Sequence, residues 1–270
     1  MIRGTLVLAL CGASAFAASN FTAPLVGVAR DKQQQLHLVY GVAGNFVVRD
    51  VVGQNVSNWS FASGGLAKTD KELLLLGPSG APVWRVNADG GDALLAPANA
   101  NAPAGYFIPA TGELGQLLAG EVRRTVLQPY VTGGRVMALE ASNLSQAELA
   151  VCRGGELWMI TVDLRSGSAA HQAIVTGISS HAACQSPLPG TVVLLNGCLV
   201  VASQSELLIQ NSAGRENHLP LSNTTGAPPE LHQLGTGWVQ VDLPGQAPLL
   251  IHLTDDGEQL YRLPGAEMRQ

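Results

Sequence analysis

A short leucine-rich segment returns along this chain, each time followed by a glycine. Leu207-Leu208-Ile209-Gln210 matches Leu249-Leu250-Ile251-His252 at a distance of 42 residues, with Gly214 and Gly257 in the turns that follow. Glu72-Leu73-Leu74-Leu75 with Gly80 has the same form, and looser copies begin at Glu113 and Glu156. Taking Leu36, Leu73, Leu114, Leu157, Leu207 and Leu249 as equivalent gives intervals of 37, 41, 43, 50 and 42 residues. A unit that cannot hide its apolar face alone must lean on its neighbours, so a period this regular constrains the fold more than any local preference does.

The units themselves read as strands. Segment 230–263 packs four apolar runs between turn signals, and in 238–243 Val239, Val241 and Leu243 alternate with Gln240 and Asp242, the period of two of a β-strand. Runs of about five residues, about ten apart and punctuated by 31 Gly and 15 Pro, continue through the chain. No helical period is sustained over three turns beyond the amino terminus, so the chain is expected to be all-β with few, short helices. Intervals near the roughly 40–50 residues of a propeller blade predict a β-propeller of about six four-stranded blades, a single domain over 18–270. Both faces of runs such as 73–76 are apolar, which suits blades stacked around an axis better than the alternative, a two-layer β-sandwich.

Strands are expected at 25–29, 36–40 and 46–51 for the first blade, and at 59–66, 73–76 and 83–86 for the second. Segment 97–104, rich in Ala, Asn and Pro, reads as an exposed loop before strands at 106–108, 114–118 and 122–127. The fourth blade takes 135–140, 147–152, 157–164 and 169–175, and the fifth takes 192–195, 199–202, 207–210 and 217–221. Segments 178–189 and 222–229 read as connections between blades.

Residues 1–17 carry Arg3, an apolar stretch of about a dozen residues and Ala15-Phe16-Ala17, the pattern of a cleaved signal peptide. That stretch is too short to span a bilayer core of about 30 Å, so no transmembrane segment is expected after cleavage, and the chain is expected to be exported to the periplasm or beyond the cell. Export leaves Cys152, Cys184 and Cys198 in an oxidising compartment, where at most one pair closes. Cys184 with Cys198 is one pairing, and small buried apolar residues is the other reading of all three. The formal charge of −5, with basic residues scattered singly apart from Arg123-Arg124, excludes a nucleic-acid footprint.

The segment ending Val162-Asp163-Leu164-Arg165-Ser166-Gly167 resembles the strand-Asp-x-x-x-Gly rhythm of bacterial quinoprotein-like propellers, whose repeats add a Trp four residues past the Gly. Trp84 and Tyr261 stand at that distance from Gly80 and Gly257, and His171 and His218 hold the same place after Gly167 and Gly214. The Asp is present in one of the four. The resemblance covers fragments of about four blades, implies an architecture, and carries no ligand or catalytic residue.

Chemistry is sparse. The chain has no Lys-Ser/Thr phosphate loop, no His-Glu-x-x-His, no Cys-x-x-Cys and no Gly-x-Ser-x-Gly elbow. His232 and His252 fall in one blade with Asp242 on the strand between, a set that can bind a metal or move a proton, although His252 alternates with Ile251 and Leu253 as a half-buried strand residue does. Asp255 and Asp256 can attract a hard cation, but Asp-Asp-Gly is also what an exposed hairpin uses by itself. Trp59, Trp84, Trp158 and Trp238 lie on expected strands, with core packing their default role. These features predict a non-enzymatic exported module that binds a protein or glycan partner or acts as a scaffold, without a cofactor. The alternative is a hydrolase or lactonase with a metal site in the central channel.

Overall fold

The computed structural model describes residues 23–262, except 43–44, 89–90, 99–101, 119, 129–130, 132, 186–189, 196, 212, 222–228, 235–236, 244–245 and 255–256. The expected signal peptide and most of segment 222–229 therefore lie outside the described residues. Six antiparallel sheets follow one another along the chain as the blades of a propeller.

Blade 1 holds β1 (Leu25–Arg30), β2 (Leu36–Val42) and β3 (Asn45–Gly53). Blade 2 holds β4 (Val56–Phe61), β5 (Gly65–Thr69), β6 (Glu72–Leu76) and β7 (Pro82–Asn87), and blade 3 holds β8 (Leu94–Ala96), β9 (Ala104–Ile108), β10 (Glu113–Leu118) and β11 (Glu121–Val126). Blade 4 is β12 (Arg135–Ala141), β13 (Gln146–Arg153), β14 (Glu156–Asp163) and β15 (Ser168–Val175). After helix α1 (Ile178–Gln185), blade 5 is β16 (Val192–Leu195), β17 (Cys198–Ala202), β18 (Glu206–Gln210) and β19 (Glu216–Pro220). Blade 6 is β20 (Glu230–Gln233), β21 (Trp238–Asp242), β22 (Leu249–Thr254) and β23 (Gly257–Arg262).

Each blade is sandwiched by apolar clusters shared with its two neighbours, and these clusters close a ring. Val28, Leu36, Trp59 and Leu74 join blades 1 and 2, while Leu66, Leu73, Tyr106 and Leu117 join 2 and 3. Phe107, Leu114, Leu149 and Ile160 join 3 and 4, and Met137, Leu157, Val201 and Leu208 join 4 and 5. Val200, Ile209, Val239 and Ile251 join 5 and 6, and Val39, Phe46, Leu234 and Leu250 return from 6 to 1. Burial of both faces is why the repeated leucines are not diluted by polar residues, and it excludes the two-layer sandwich.

Four details correct the sequence reading. Segment 59–66 is not one strand: it splits into β4 and β5, because Phe61 pairs with Gly65 in a tight hairpin where a Cβ on Gly65 would sit 1.9 Å from the Ser60 carbonyl oxygen. The described residues of segment 97–104 are not exposed, since Pro97, Ala102 and Ala104 are buried next to β8, a short inner strand. The crowded centre of a ring accepts small side chains, and a run of them looks like a loop in sequence. Segment 178–189 contains α1, whose two turns are too short to show a helical period. The disulfide joins Cys152 to Cys184, not Cys184 to Cys198, and pins α1 to β13.

Blade 1 is the exception in the ring. The repeat aligns Leu36 of β2 with Leu73, Leu114, Leu157, Leu207 and Leu249, which all lie on the third strand of their blades. On that register β1 is a second strand and β3 an outermost one, as its exposed pattern also shows. Among the described residues blade 1 therefore lacks an inner strand. The inner strands of blades 2 and 6 meet directly across the gap, through a parallel bridge between Phe61 and Leu234. Gly27 makes that closure fit, because a Cβ there would lie 2.2 Å from Leu234 Cδ1.

Candidate functional site

The hairpin of β20 and β21 pairs Glu230 with Asp242 and His232 with Gln240. Because strand side chains alternate, these four residues share one face, while Leu231, Val239 and Val241 turn to the core between blades 5 and 6. The polar face looks toward the gap in blade 1. There it meets Arg30 at the end of β1 and Asn58 and Trp59 on β4, so the cluster draws on three blades.

His232 is 3% exposed. Its ring stacks on Trp59 at 3.5 Å between centroids and 16° between planes, and the Arg30 guanidinium lies 4.9 Å from the same indole. The Asn58 amide is oriented by two bonds: its Nδ2 donates to the Ala93 carbonyl at 2.7 Å, and its Oδ1 accepts the Trp59 backbone N–H at 2.8 Å. That Oδ1 lies 3.0 Å from His232 Nδ1, so Nδ1–H is the donor and Nε2 is left to face the carboxylates. Nε2 is buried and makes no hydrogen bond; Asp242 Oδ2 stands 3.6 Å away and Glu230 Oε2 3.7 Å away.

Each carboxylate has a side-chain partner besides His232, and Arg30 Nη2 also lies 3.8 Å from Asp242 Oδ2. Arg30 Nη2 donates to Glu230 Oε2 at 2.8 Å, while its Nη1 donates to the carbonyls of Ser57 at 2.5 Å and Val56 at 3.3 Å. Gln240 Nε2 donates to Asp242 Oδ1 at 2.5 Å, leaving Oδ2 for the side facing His232. With a proton on Nε2 the His232 ring, ahead of Arg30, holds the Glu230 carboxyl down to about 2 against the pull of desolvation. Burial pushes Asp242 the other way, above the usual carboxylate range, because it outweighs His232, Gln240 and Arg30. Two adjacent acids with opposite shifts mark a site whose environment treats them differently.

Of the residues singled out in sequence, His232 and Asp242 come together here. His252 does not join them: it pairs with Trp238, farther along β22, and stacks on that indole at 4.1 Å and 5°. Asp255 and Asp256 lie outside the described residues, although Thr254 and Gly257 on either side do pair as a hairpin. Trp59 is in the site, Trp238 packs between blades 6 and 1, Trp84 packs between 2 and 3, and Trp158 lies under Arg153. Glu230 was missed. The signal was present in the hairpin register, which sets residue 230 opposite 242 on the same face as 232.

The central cavity is narrow, about 20 Å³, and is lined by inner strands of blades 2 to 6, including Leu94, Leu139, Val193 and Leu231. His232 borders it, so the polar cluster sits between the channel and the gap in blade 1.

No protein-family model and no curated protein matches this chain. Its fold is similar to that of solved structures at low identity. A nidogen/laminin complex contains a chain 10% identical to it, with a TM-score of 0.52 over 84% of this chain and 93% of the other. The WD40 domain of Neurospora crassa Pan2 is 11% identical, with a TM-score of 0.46 over 90% of this chain and 80% of that one. Virginiamycin B lyase from Staphylococcus aureus is 10% identical, with a TM-score of 0.44 over 90% and 85%. At such identities the likeness concerns architecture alone: the chain is a β-propeller.

Proposed function

We propose that the chain is an exported, non-enzymatic binding module that engages a protein or glycan of the periplasm, envelope or extracellular space at the gap in blade 1. One observation carries this reading. In a chain with only 13% charged residues, Arg30, Glu230, His232 and Asp242 are gathered beside Trp59 in a recess that solvent reaches through the half-exposed Glu230 side chain. Charge is placed where it serves recognition, at a mouth that the half-exposed Glu230 opens to solvent. The nidogen/laminin structure shows that a chain of similar fold can be solved in complex with a protein partner. Export is supported by the pattern of residues 1–17 and by the Cys152–Cys184 disulfide, which suits an oxidising compartment.

The test has two arms. Cell fractionation of a C-terminally tagged chain is expected to find a shortened protein outside the cytoplasm; full-length protein in the cytosol overturns export. Biosensor titration against isolated envelope polysaccharides and exported proteins is expected to give a saturable partner whose affinity falls about tenfold or more in Glu230→Ala, as for a central contact residue. Binding indifferent to that variant moves the site elsewhere. The alternative, a metal-dependent hydrolase or lactonase, draws on one observation, the bare Nε2 of His232 facing two carboxylates.

A further inference from the structure

We propose that Glu230, His232 and Asp242 form a site for a first-row divalent metal ion of the zinc class, with a fourth position open toward solvent. The proposal deepens the binding reading above and rests on the same recess. Three ligand atoms meet here, the imidazole Nε2, which presents a lone pair in the neutral form a metal ligand takes, and one oxygen of each carboxylate, all within 4.8 Å of one another. Arg30 Nη2 lies 2.8 Å from the Glu230 oxygen and 3.8 Å from that of Asp242, but His232 Nε2 is buried with no hydrogen-bond partner of its own. The separations of 3.6 and 3.7 Å from Nε2 are too long for hydrogen bonds, which run about 2.7–3.2 Å. They fit two ligands that share an ion at about 2.0–2.2 Å from each, the range of zinc to nitrogen and carboxylate oxygen.

The surroundings are those of a ligand set. Two of the three ligand groups are oriented by a partner on the other side, His232 by the Asn58 amide oxygen and Asp242 by the Gln240 amide, while Arg30 holds Glu230 through the oxygen that faces His232. The imidazole selects against magnesium and calcium, which prefer all-oxygen cages. Charge also points this way. Two carboxylates against Arg30 and a neutral His232 leave one negative charge to be matched. A divalent ion overshoots by one, so the open position favours an anionic fourth ligand, such as hydroxide or a partner's carboxylate. With Arg30 bound to Glu230 and anchored on the Ser57 carbonyl, the ion is added to the cluster and does not displace the guanidinium.

The test uses the purified chain, dialysed against chelator and titrated with zinc chloride by calorimetry, with metal content measured after gel filtration. One zinc per chain and a raised unfolding temperature are expected. Glu230→Gln, at a half-exposed side chain that keeps the fold, and His232→Gln are each expected to abolish stoichiometric uptake. Asn58→Ala, a positioning change, is expected to weaken it roughly 10–100-fold. His252→Asn, outside the cluster, is expected to leave it unchanged. Absence of stoichiometric zinc, or uptake that survives both ligand variants in folded protein, overturns the proposal. So does a metal-free chain whose His232 ring carries protons on both nitrogens and refuses zinc, since the cluster is then an ion network only. The two readings fail separately: a chain that binds its partner in chelator and takes no zinc sinks the metal site alone. Zinc uptake by a chain whose partner binding ignores Glu230 sinks the recognition site alone.

Discussion

Blade 4 and blade 1 are built from the same repeat, and they differ in regularity. In blade 4 the ladder between β13 and β14 runs unbroken over eight rungs, with one slip in each of the two flanking ladders, and apolar clusters cover both faces. In blade 1 the β2–β3 ladder slips twice and the β1–β2 ladder once. Blade 1 also buries a polar contact, His37 Nε2 to Asp31 Oδ2 at 2.8 Å, and the inner strand it lacks among the described residues leaves the space where Arg30, Trp59 and His232 gather. Where the repeat is obeyed, residues serve packing. Where it is broken, polar groups collect, which is where a site is expected in a fold whose local rules otherwise agree.

The sharpest break of this comparison is at Trp59, 1% exposed, which packs the core between blades 1 and 2 and carries both His232 and Arg30 on its ring. Trp59→Ala is expected to cost about 3–5 kcal/mol in urea unfolding, as much as Leu149→Ala in the heart of blade 4 at about 2–5 kcal/mol. A cost for Trp59 below about 1 kcal/mol would mean that the ring does not depend on the seam. Next comes the staple of blade 4. The Cys152–Cys184 bridge spans 32 residues, and its removal in the Cys152→Ser, Cys184→Ser double variant is expected to cost roughly 2–4 kcal/mol. Reductant should shift the urea midpoint of the parent by a similar amount and leave the double variant alone; equal sensitivity of both would show that the bridge contributes nothing.

Gly27 sharpens the contrast at smaller scale. A methyl group there meets the end of the Leu234 side chain, which must turn aside from a buried position between blades 6 and 1. Gly27→Ala is expected to cost about 1–3 kcal/mol as an overpacked contact. Gly154, whose added Cβ would meet nothing within 4 Å but whose φ is +63°, tests backbone strain without crowding and should cost about 1 kcal/mol as Ala. If the two variants unfold alike, closure of the ring is not a matter of space at Gly27.

The regular blades were legible in sequence because apolar period and turn chemistry agree there: 135–140 and 169–175 were read within a residue of β12 and β15. The failures have local causes. The hairpin at Gly64-Gly65 hid between two apolar strands, and β8, two leucines and an alanine, lies in a stretch otherwise made of the Ala, Asn, Gly and Pro that a loop also uses. At the site, His232 and Asp242 stood out by residue type. Glu230 needed the hairpin register, and Arg30, Asn58 and Trp59 needed the ring closure, since Asn58 and His232 are 174 residues apart. No period within one blade reports a contact between blades 6 and 2.

The smallest effect separates blades 4 and 5 at equivalent turns. Asp163 Oδ1 accepts the backbone N–H groups of Arg165 and Ser166, each at 2.9 Å, before Gly167 at φ +68°. In blade 5 Asn211 does the same with a neutral oxygen, accepting from Ala213 at 3.0 Å and Arg215 at 2.9 Å before β19. The Ser166 N–H first, then that of Arg165, hold the Asp163 carboxyl below its usual range. A carboxyl lowered in the folded chain stabilises it fully above the unfolded value, near 3.9, and loses that contribution as pH falls through the folded one. Asp163→Asn is therefore expected to make the turn of blade 4 behave like that of blade 5, indifferent to pH, with a shift in unfolding temperature near the limit of detection because the group is exposed. Carbon-detected NMR titration of the parent reads the midpoint directly, and a value at or above about 3.9 would mean that the ionised side chain does not hold this turn.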